Sequence, residues 1–388
     1  MRRGISKGKI LSIAVLMFVI LLTGCGYHNK KVNKVFLQNS PLPSEAVNRA
    51  EKSETADNKV LPVATGDLAA YAGPVQHIFF HPLIAYTGKA FDGDSLSKGY
   101  NDWFITVEEF DKILESLYKK NYILIDIKDT YDVKLIDGRK FMAKKKLLLP
   151  EGKKPLIISI DDVNYYEYMV ENGNIHKLIL DSNGDVATFS ITPEGKRVIA
   201  YDNEIIPILD SFVKEHSDFS LHGAKGIIAL TGYEGVLGYR TNKTDSPDYE
   251  NERNEALRLI ERLKNTGWSF ASHSYGHLDD YEISYDRLVR DTERWEKEVE
   301  PLTGPTPIYI YPFGSAVPYS NPKFKYLLNA GFDVFCGVGS DGWTEYLSDC
   351  VLTDRRPIDG ISFHYNSKKL ADLFDCSEII DSCRPGTY

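Results

Sequence analysis

An amphipathic helix that ends near Gly or Asn and runs directly into an apolar strand recurs along this 388-residue chain. That alternation limits the possible folds more than any other feature. "TVEEFDKILESLYKKN" precedes "YILIDI", "NEALRLIERLKNTG" precedes "WSFAS", and "NPKFKYLLNAG" precedes "FDVFCGV". In the first of these, Thr106 and Glu109 form a capping-box signature, and Val107, Phe110, Ile113, Leu114 and Leu117 keep helical spacing. Pro322 suits a first helical turn. Gly267 and Gly331 stand where a left-handed helix cap is needed. Further apolar runs, "HIFF" (77–80), "LIISI" (156–160), "GIIAL" (226–230) and "IYIY" (308–311), read as strands. Strands alternating with helices imply parallel pairing with the helices outside. The expected fold is α/β: a distorted or incomplete (β/α) barrel over residues 75–388. An open doubly wound sheet is the alternative, and no Gly-rich dinucleotide loop favours it. Asn183-Gly184 within "LILDSNGDVATFS" predicts a β-hairpin elaborating the barrel.

The N-terminus is not part of this pattern. A basic "MRRGISKGK" precedes an apolar run from Ile10 to Leu22 and then Leu22-Thr23-Gly24-Cys25. The run is too short for a membrane span of about 20 residues and suits a signal-peptide core. Small residues before a cysteine resemble the bacterial lipoprotein signal, which implies residues 1–24 as signal peptide and Cys25 as the lipidation site. An ordinary cleaved signal or an uncleaved anchor is the alternative. Each version places the remainder outside the cytoplasm, and the lipoprotein version anchors it to the cell membrane. Residues 25–74 are polar and too poor in apolar residues for a core, so they read as a flexible, disordered tether. Removing 1–24 takes away Arg2, Arg3, Lys7 and Lys9 and no acid, so the net charge moves from −9 to −13. So acidic a chain is a poor nucleic-acid binder, and nothing in it calls for a protein partner. Cys336, Cys350, Cys376 and Cys383 lack zinc-ligand spacing. An exported location permits disulfides among them, and buried thiols are equally compatible.

Polar residues gather where the strands end. "LIISI" ends in Asp161-Asp162, "WSFAS" leads into His273 and His277, "IYIY" into Pro312-Phe313-Gly314, and "HIFF" into His81. In a parallel barrel all these ends open on one rim, where active sites are built. Neighbours within a strand point to opposite faces, so both aspartates serve one site only if the backbone turns there. Otherwise the pair caps the next helix. His273 and His277 share a helical face or are aimed inward by a loop, and Gly276 favours the loop. Two imidazoles and a carboxylate are ordinary zinc ligands, and three protein ligands leave a position open for water.

Asp-Asp after an apolar strand, then His-Ser-x-x-His, then Pro-aromatic-Gly after another strand resembles the polysaccharide deacetylases of the NodB-homology type. The resemblance spans roughly residues 75–375 and implies a metal-dependent carbohydrate deacetylase on a distorted β/α barrel. It implies Asp162, His273 and His277 as metal ligands, Asp161 as general base and the Phe313 N–H as oxyanion donor. The implied metal is Zn²⁺, with Co²⁺ or Ni²⁺ as alternatives. The implied substrate is a polysaccharide or glycan oligomer carrying N-acetylhexosamine. The chain departs from the family in three ways. Ile310 stands where an arginine usually orients the base, with Arg240, Arg355 and Arg356 as candidate replacements. The first two motifs are unusually far apart. The histidine that protonates the leaving amine is replaced by His364 in "GISFHYN" or by His81. Tyr275, Tyr311, Pro312, Trp343, Arg240 and His81 are the candidate substrate contacts, with Trp343 in a "DGW" similar to the family's acetyl-pocket motif. The missing arginine leaves a weakly active or inactive glycan-binding lipoprotein as the alternative function, and a metal-dependent hydrolase of another ester or non-peptide C–N bond as a third.

Overall fold

The computed structural model of the chain describes residues 68–386. The expected signal peptide, Cys25 and nearly all of the expected tether lie outside those residues. Among the described residues no helix is long and apolar enough to cross a membrane.

Seven parallel strands close into a barrel. In ring order they are Ile227–Leu230, Ser269–Ser272, Ile308–Ile310, Val334–Val338, Val351–Pro357, Gln76–Phe80 and Lys154–Ile160. The last pairs back with the first through Ser159↔Ile227 and Ile160↔Ile228. The apolar strand Tyr122–Leu124 stays outside this ring; it pairs with the start of Lys154–Ile160 and, through Leu124, bridges to Ser220. The ring instead includes Val351–Pro357, whose sequence "VLTDRRP" is too charged to read as a buried strand. Its polar side chains are nonetheless accommodated, with Arg355 and Arg356 both buried.

The helices form where the periodicity places them. Val107–Lys119 begins with Thr106 and Glu109 in a reciprocal capping box and buries Phe110, Ile113, Leu114 and Leu117. Each such side chain contributes about 1.5–3 kcal/mol on burial. Gly267 (φ 97°) closes the Tyr249–Asn265 helix; its backbone runs so near Gly223 that a side chain there would overlap the Gly223 carbonyl. The expected hairpin is present as Lys177–Leu180 and Val186–Ile191, and a third antiparallel strand, Arg197–Ala200, extends it. A second hairpin, Tyr131–Ile136 with Arg139–Lys144, turns at Asp137-Gly138, both left-handed (φ 49° and 74°). Asp-Gly is a strong two-residue turn signal.

The C-terminal cysteines form no bridge: Cys336, Cys350 and Cys376 are buried thiols and Cys383 is an exposed one. An ion pair staples that end instead. Arg384 donates to both Glu109 oxygens (2.5 and 2.8 Å) and to the Asn101 and Phe104 carbonyls (2.8 and 2.6 Å). Glu109 has no exposed surface, so removing the guanidinium strands a buried carboxylate. Arg384→Ala is expected to destabilise the protein by about 3–5 kcal/mol in denaturant titration, while a reductant leaves the wild-type midpoint unchanged.

Candidate active site and metal centre

The C-terminal rim of the barrel brings the separated motifs together. Asp161 ends the Lys154–Ile160 strand, its N–H donating to the Phe80 carbonyl (2.9 Å). Asp162 then takes a left-handed backbone conformation (φ 58°). That turn lets adjacent carboxylates face one site. Two braces hold it. Asn164 donates to the Thr231 carbonyl (2.9 Å) and accepts from the Thr231 N–H (3.2 Å). Arg240 donates to the carbonyls of Tyr165 (2.8 Å) and Glu234 (2.9 Å).

His273 and His277 lie on a loop after Ser269–Ser272, not on a helix, with Ser274 (φ 53°) and His277 (φ 49°) left-handed. Asp291, on the Tyr285–Glu298 helix, accepts the N–H groups of Tyr275 (2.6 Å) and Gly276 (2.9 Å) and so fixes the loop between the histidines. His273 Nδ1 lies 2.9 Å from the Ile310 carbonyl and donates to it, which turns Nε2 toward the aspartates. His277 Nε2 is 3.6 Å from Asp162 Oδ2, and its ring meets Phe313 at 4.5 Å between centroids.

One ligand atom each from Asp162, His273 and His277 falls within 4.8 Å of the others. Ligand atoms around a tetrahedral zinc stand about 3.4 Å apart, so a small contraction of three side chains would let them hold one ion. The chemistry of the set agrees. Burial lowers the His273 pKa, against the pull of Asp161 and Asp162, and so favours the neutral imidazole that binds metals. Burial would raise Asp162, but the charges of His277, His273 and His81, with the 2.7 Å hydrogen bond from Tyr166, carry it below the usual range. Tyr166 also pairs with Thr231 Oγ1 (2.6 Å), which orients the carboxylate from behind.

Arg355 supplies the cation missing at Ile310. Its guanidinium makes two hydrogen bonds to Asp161 (2.7 and 2.9 Å), a third to Ser159 Oγ (3.1 Å), and lies 4.2 Å from the Phe79 ring centre. Burial alone would raise the Asp161 pKa; Arg355, with His273 and His81, brings it down to about 2. Arg356 points elsewhere, to Asp372 (2.8 Å). Arg240, expected near substrate, is a backbone brace.

The other candidates divide. His81 reaches the rim: it follows Gln76–Phe80, its Nδ1 lies 3.1 Å from the Trp103 carbonyl, and its charge is among those that hold the Asp161 and Asp162 carboxyls below the usual range. His364 is exposed on Gly360–Tyr365 with its ring against Tyr365, and the histidine charges felt most by the two aspartates come from His81, His273 and His277. Pro312 is buried, while Phe313 is left-handed (φ 59°) and 55 % exposed. Tyr275 is buried and donates to Glu298 (2.6 Å), and Tyr311 packs against Tyr309 and Phe335; neither presents itself to a substrate. Trp343 is not on this rim. It stands beside Gly342, which abuts Val75 and Gln76 at the opposite end of the barrel. Tyr168, which no motif marks, is 40 % exposed and stacks on Tyr166 as Tyr233 does, at 5.8 and 4.6 Å.

Residues 244–335 match the polysaccharide deacetylase family, the one the three motifs resemble. No curated protein matches the chain. Solved structures similar to it include the Streptococcus pyogenes deacetylase PplD in complex with acetate: 14 % identity, 75 % of this chain and 94 % of that one, TM-score 0.40. Another is a de-N-acetylase from Aggregatibacter actinomycetemcomitans (12 %, 78 % and 100 %, 0.42). A third is a polysaccharide deacetylase from Bacillus cereus (12 %, 78 % and 69 %, 0.40).

Arg355→Ala leaves Asp161 buried without its partner. The expected loss is about 3–5 kcal/mol at neutral pH. Because the folded Asp161 pKa is depressed to about 2, the pair's stabilisation is present above the ordinary carboxylate value and is lost as pH falls toward 2. The gap between wild type and variant should therefore narrow on acidification in a series of denaturation curves.

Proposed function

We propose that this chain is a metal-dependent enzyme removing acetyl groups from N-acetylhexosamine units of a cell-envelope or extracellular polysaccharide, a reading supported by the match of residues 244–335 to the polysaccharide deacetylase family. One observation carries the reading: Asp162, His273 and His277 converge beside a second carboxylate, Asp161, that Arg355 holds ionised. A divalent cation on those three residues, zinc in this proposal, supplies Lewis-acid polarisation and a water that ionises near neutral pH.

The chain's own groups do the rest. Asp161 takes a proton from the attacking water. As the acetyl carbon becomes tetrahedral, the Phe313 N–H donates to its oxygen, a contact stronger in the transition state than in the bound substrate. Phe313's left-handed backbone aims that N–H, and its ring shields His277 from solvent. His81 gives a proton to the nitrogen as the C–N bond breaks, and acetate and a free amine leave. The rim position of His81 favours it over His364. Tyr168 offers an exposed ring suited to a sugar face. Arg355 on Asp161 restores what the Ile310 departure took away, which favours turnover over glycan binding alone. The N-terminal sequence alone supports the accompanying proposal that the protein is an extracytoplasmic lipoprotein, attached to the membrane through Cys25.

The test is zinc content together with acetate release from N-acetylglucosamine oligomers and peptidoglycan fragments. His273→Ala should lose both. His81→Gln should keep the metal and lose about 10²–10⁴-fold in kcat, while His364→Gln stays near wild type. Full acetate release by metal-free His273→Ala would end the proposal, and loss in His364→Gln with His81→Gln unaffected would move the proton donor to the Gly360–Tyr365 helix.

A further inference from the structure

The hairpin Tyr131–Ile136 with Arg139–Lys144 lies at the barrel end opposite the aspartates and histidines. Met142 is buried there with Val334 and Val351, its N–H donates to the Ser348 carbonyl (2.9 Å), and Lys140 pairs with Asp333, next to the first residue of the Val334–Val338 strand. Between Met142 and the turn, Lys140 still ties the hairpin to the body through Asp333, while the apolar side chains there are exposed. Leu135 is 76 % exposed, Ile136 51 %, Val133 48 % and Phe141 38 %. Strand neighbours point to opposite faces, so Leu135 and Ile136 put apolar groups on both sides of the tip. A groove-binding partner covers one face of such a tip; a lipid surface covers both.

Charge points the same way. Residues 131–146 hold Lys134, Arg139, Lys140, Lys144, Lys145 and Lys146 against Asp132 and Asp137, net +4 (six minus two) within a chain of net −9. Lys134, Lys144 and Lys146 are exposed and have no ion pair among the described residues. Apolar residues among lysines are the composition of segments that sit at an anionic membrane interface. The place where the described chain begins agrees. Leu68–Ala70 pairs with Leu148–Pro150, a few residues past the hairpin, and Leu68 and Leu148 are each 41 % exposed. The segment leading back to the hydrophobic run Ile10–Leu22 and to Cys25 therefore departs from this same end.

We propose that the Tyr131–Lys144 hairpin docks on an anionic lipid bilayer, with Leu135 and Ile136 entering the interface and Lys134, Lys144 and Lys146 meeting acidic headgroups. The catalytic rim then faces away from the membrane. This goes beyond the deacetylase reading and uses none of its chemistry.

The test is amine-reactive labelling of the full-length chain on vesicles, read lysine by lysine by mass spectrometry. On phosphatidylglycerol-containing vesicles, labelling of Lys134, Lys144 and Lys146 should fall about fivefold or more, the gain expected from a lysine at an anionic surface. Lys243, exposed near the catalytic rim, should be unchanged. Pure phosphatidylcholine should protect little. Leu135→Asp with Ile136→Asp should abolish protection without moving the thermal midpoint or acetate release. Three results would overturn the proposal: equal labelling with and without acidic vesicles, protection that the double variant retains, or protection in vesicle-free solution that grows with protein concentration, which would assign the surface to a second copy of the chain.

Discussion

The ion pair between Arg355 and Asp161 joins the fold to the chemistry. It spans the barrel interior, from Val351–Pro357 to the end of Lys154–Ile160, past the intervening strand Gln76–Phe80. Two charges taken out of water cost several kcal/mol each, and their attraction offsets this only with good geometry and satisfied donors. Both conditions are met: two parallel hydrogen bonds reach the carboxylate, further donors go to Ser159 Oγ and the Gly337 carbonyl, and the guanidinium face rests on Phe79. Lysine would satisfy none of this arrangement, because it lacks the planar fork and the stacking face.

Much of the architecture was legible in the sequence, because apolar periodicity and end signals agree in the helices. The capping box of Thr106 and Glu109, the glycine cap at 267 and the Asn183-Gly184 turn are local signals, and each formed where it was expected. The strand that went unread is the one that carries Arg355, and the two failures have one cause. A strand is recognised by apolar residues, and "VLTDRRP" has its polar groups neutralised by partners more than 190 positions earlier for Arg355 and by Asp372 for Arg356. No local pattern announces a compensation made across the chain. For the same reason three arginines were equivalent on paper, and only the assembled barrel separates the partner of Asp161 from a loop brace and from the buried partner of Asp372. Trp343 was misplaced because a motif of three residues carries no information about which end of a barrel it occupies.

The cluster of Asp162, His273 and His277 illustrates the opposite case. Its residues were named from the resemblance to a known family, yet their convergence depends on groups that no motif includes. Asp291 fixes the loop between the two histidines, Asn164 and Arg240 fix the loop after the aspartates, and the Ile310 carbonyl sets the face that His273 presents. Ile310 thus still serves the site through its backbone, although its side chain cannot do what an arginine would.

Asp162, Ser274, His277 and Phe313 all adopt left-handed backbone conformations without being glycine, each at an energetic cost of about 1–2 kcal/mol. Selection for heat resistance would find these positions early, since glycine there relieves the strain at once. The survivors would melt later and turn over poorly, having traded a ligand, a loop hinge or a solvent shield for a relaxed main chain. Directed evolution of this scaffold toward robustness should therefore leave the rim fixed and search the outer helices.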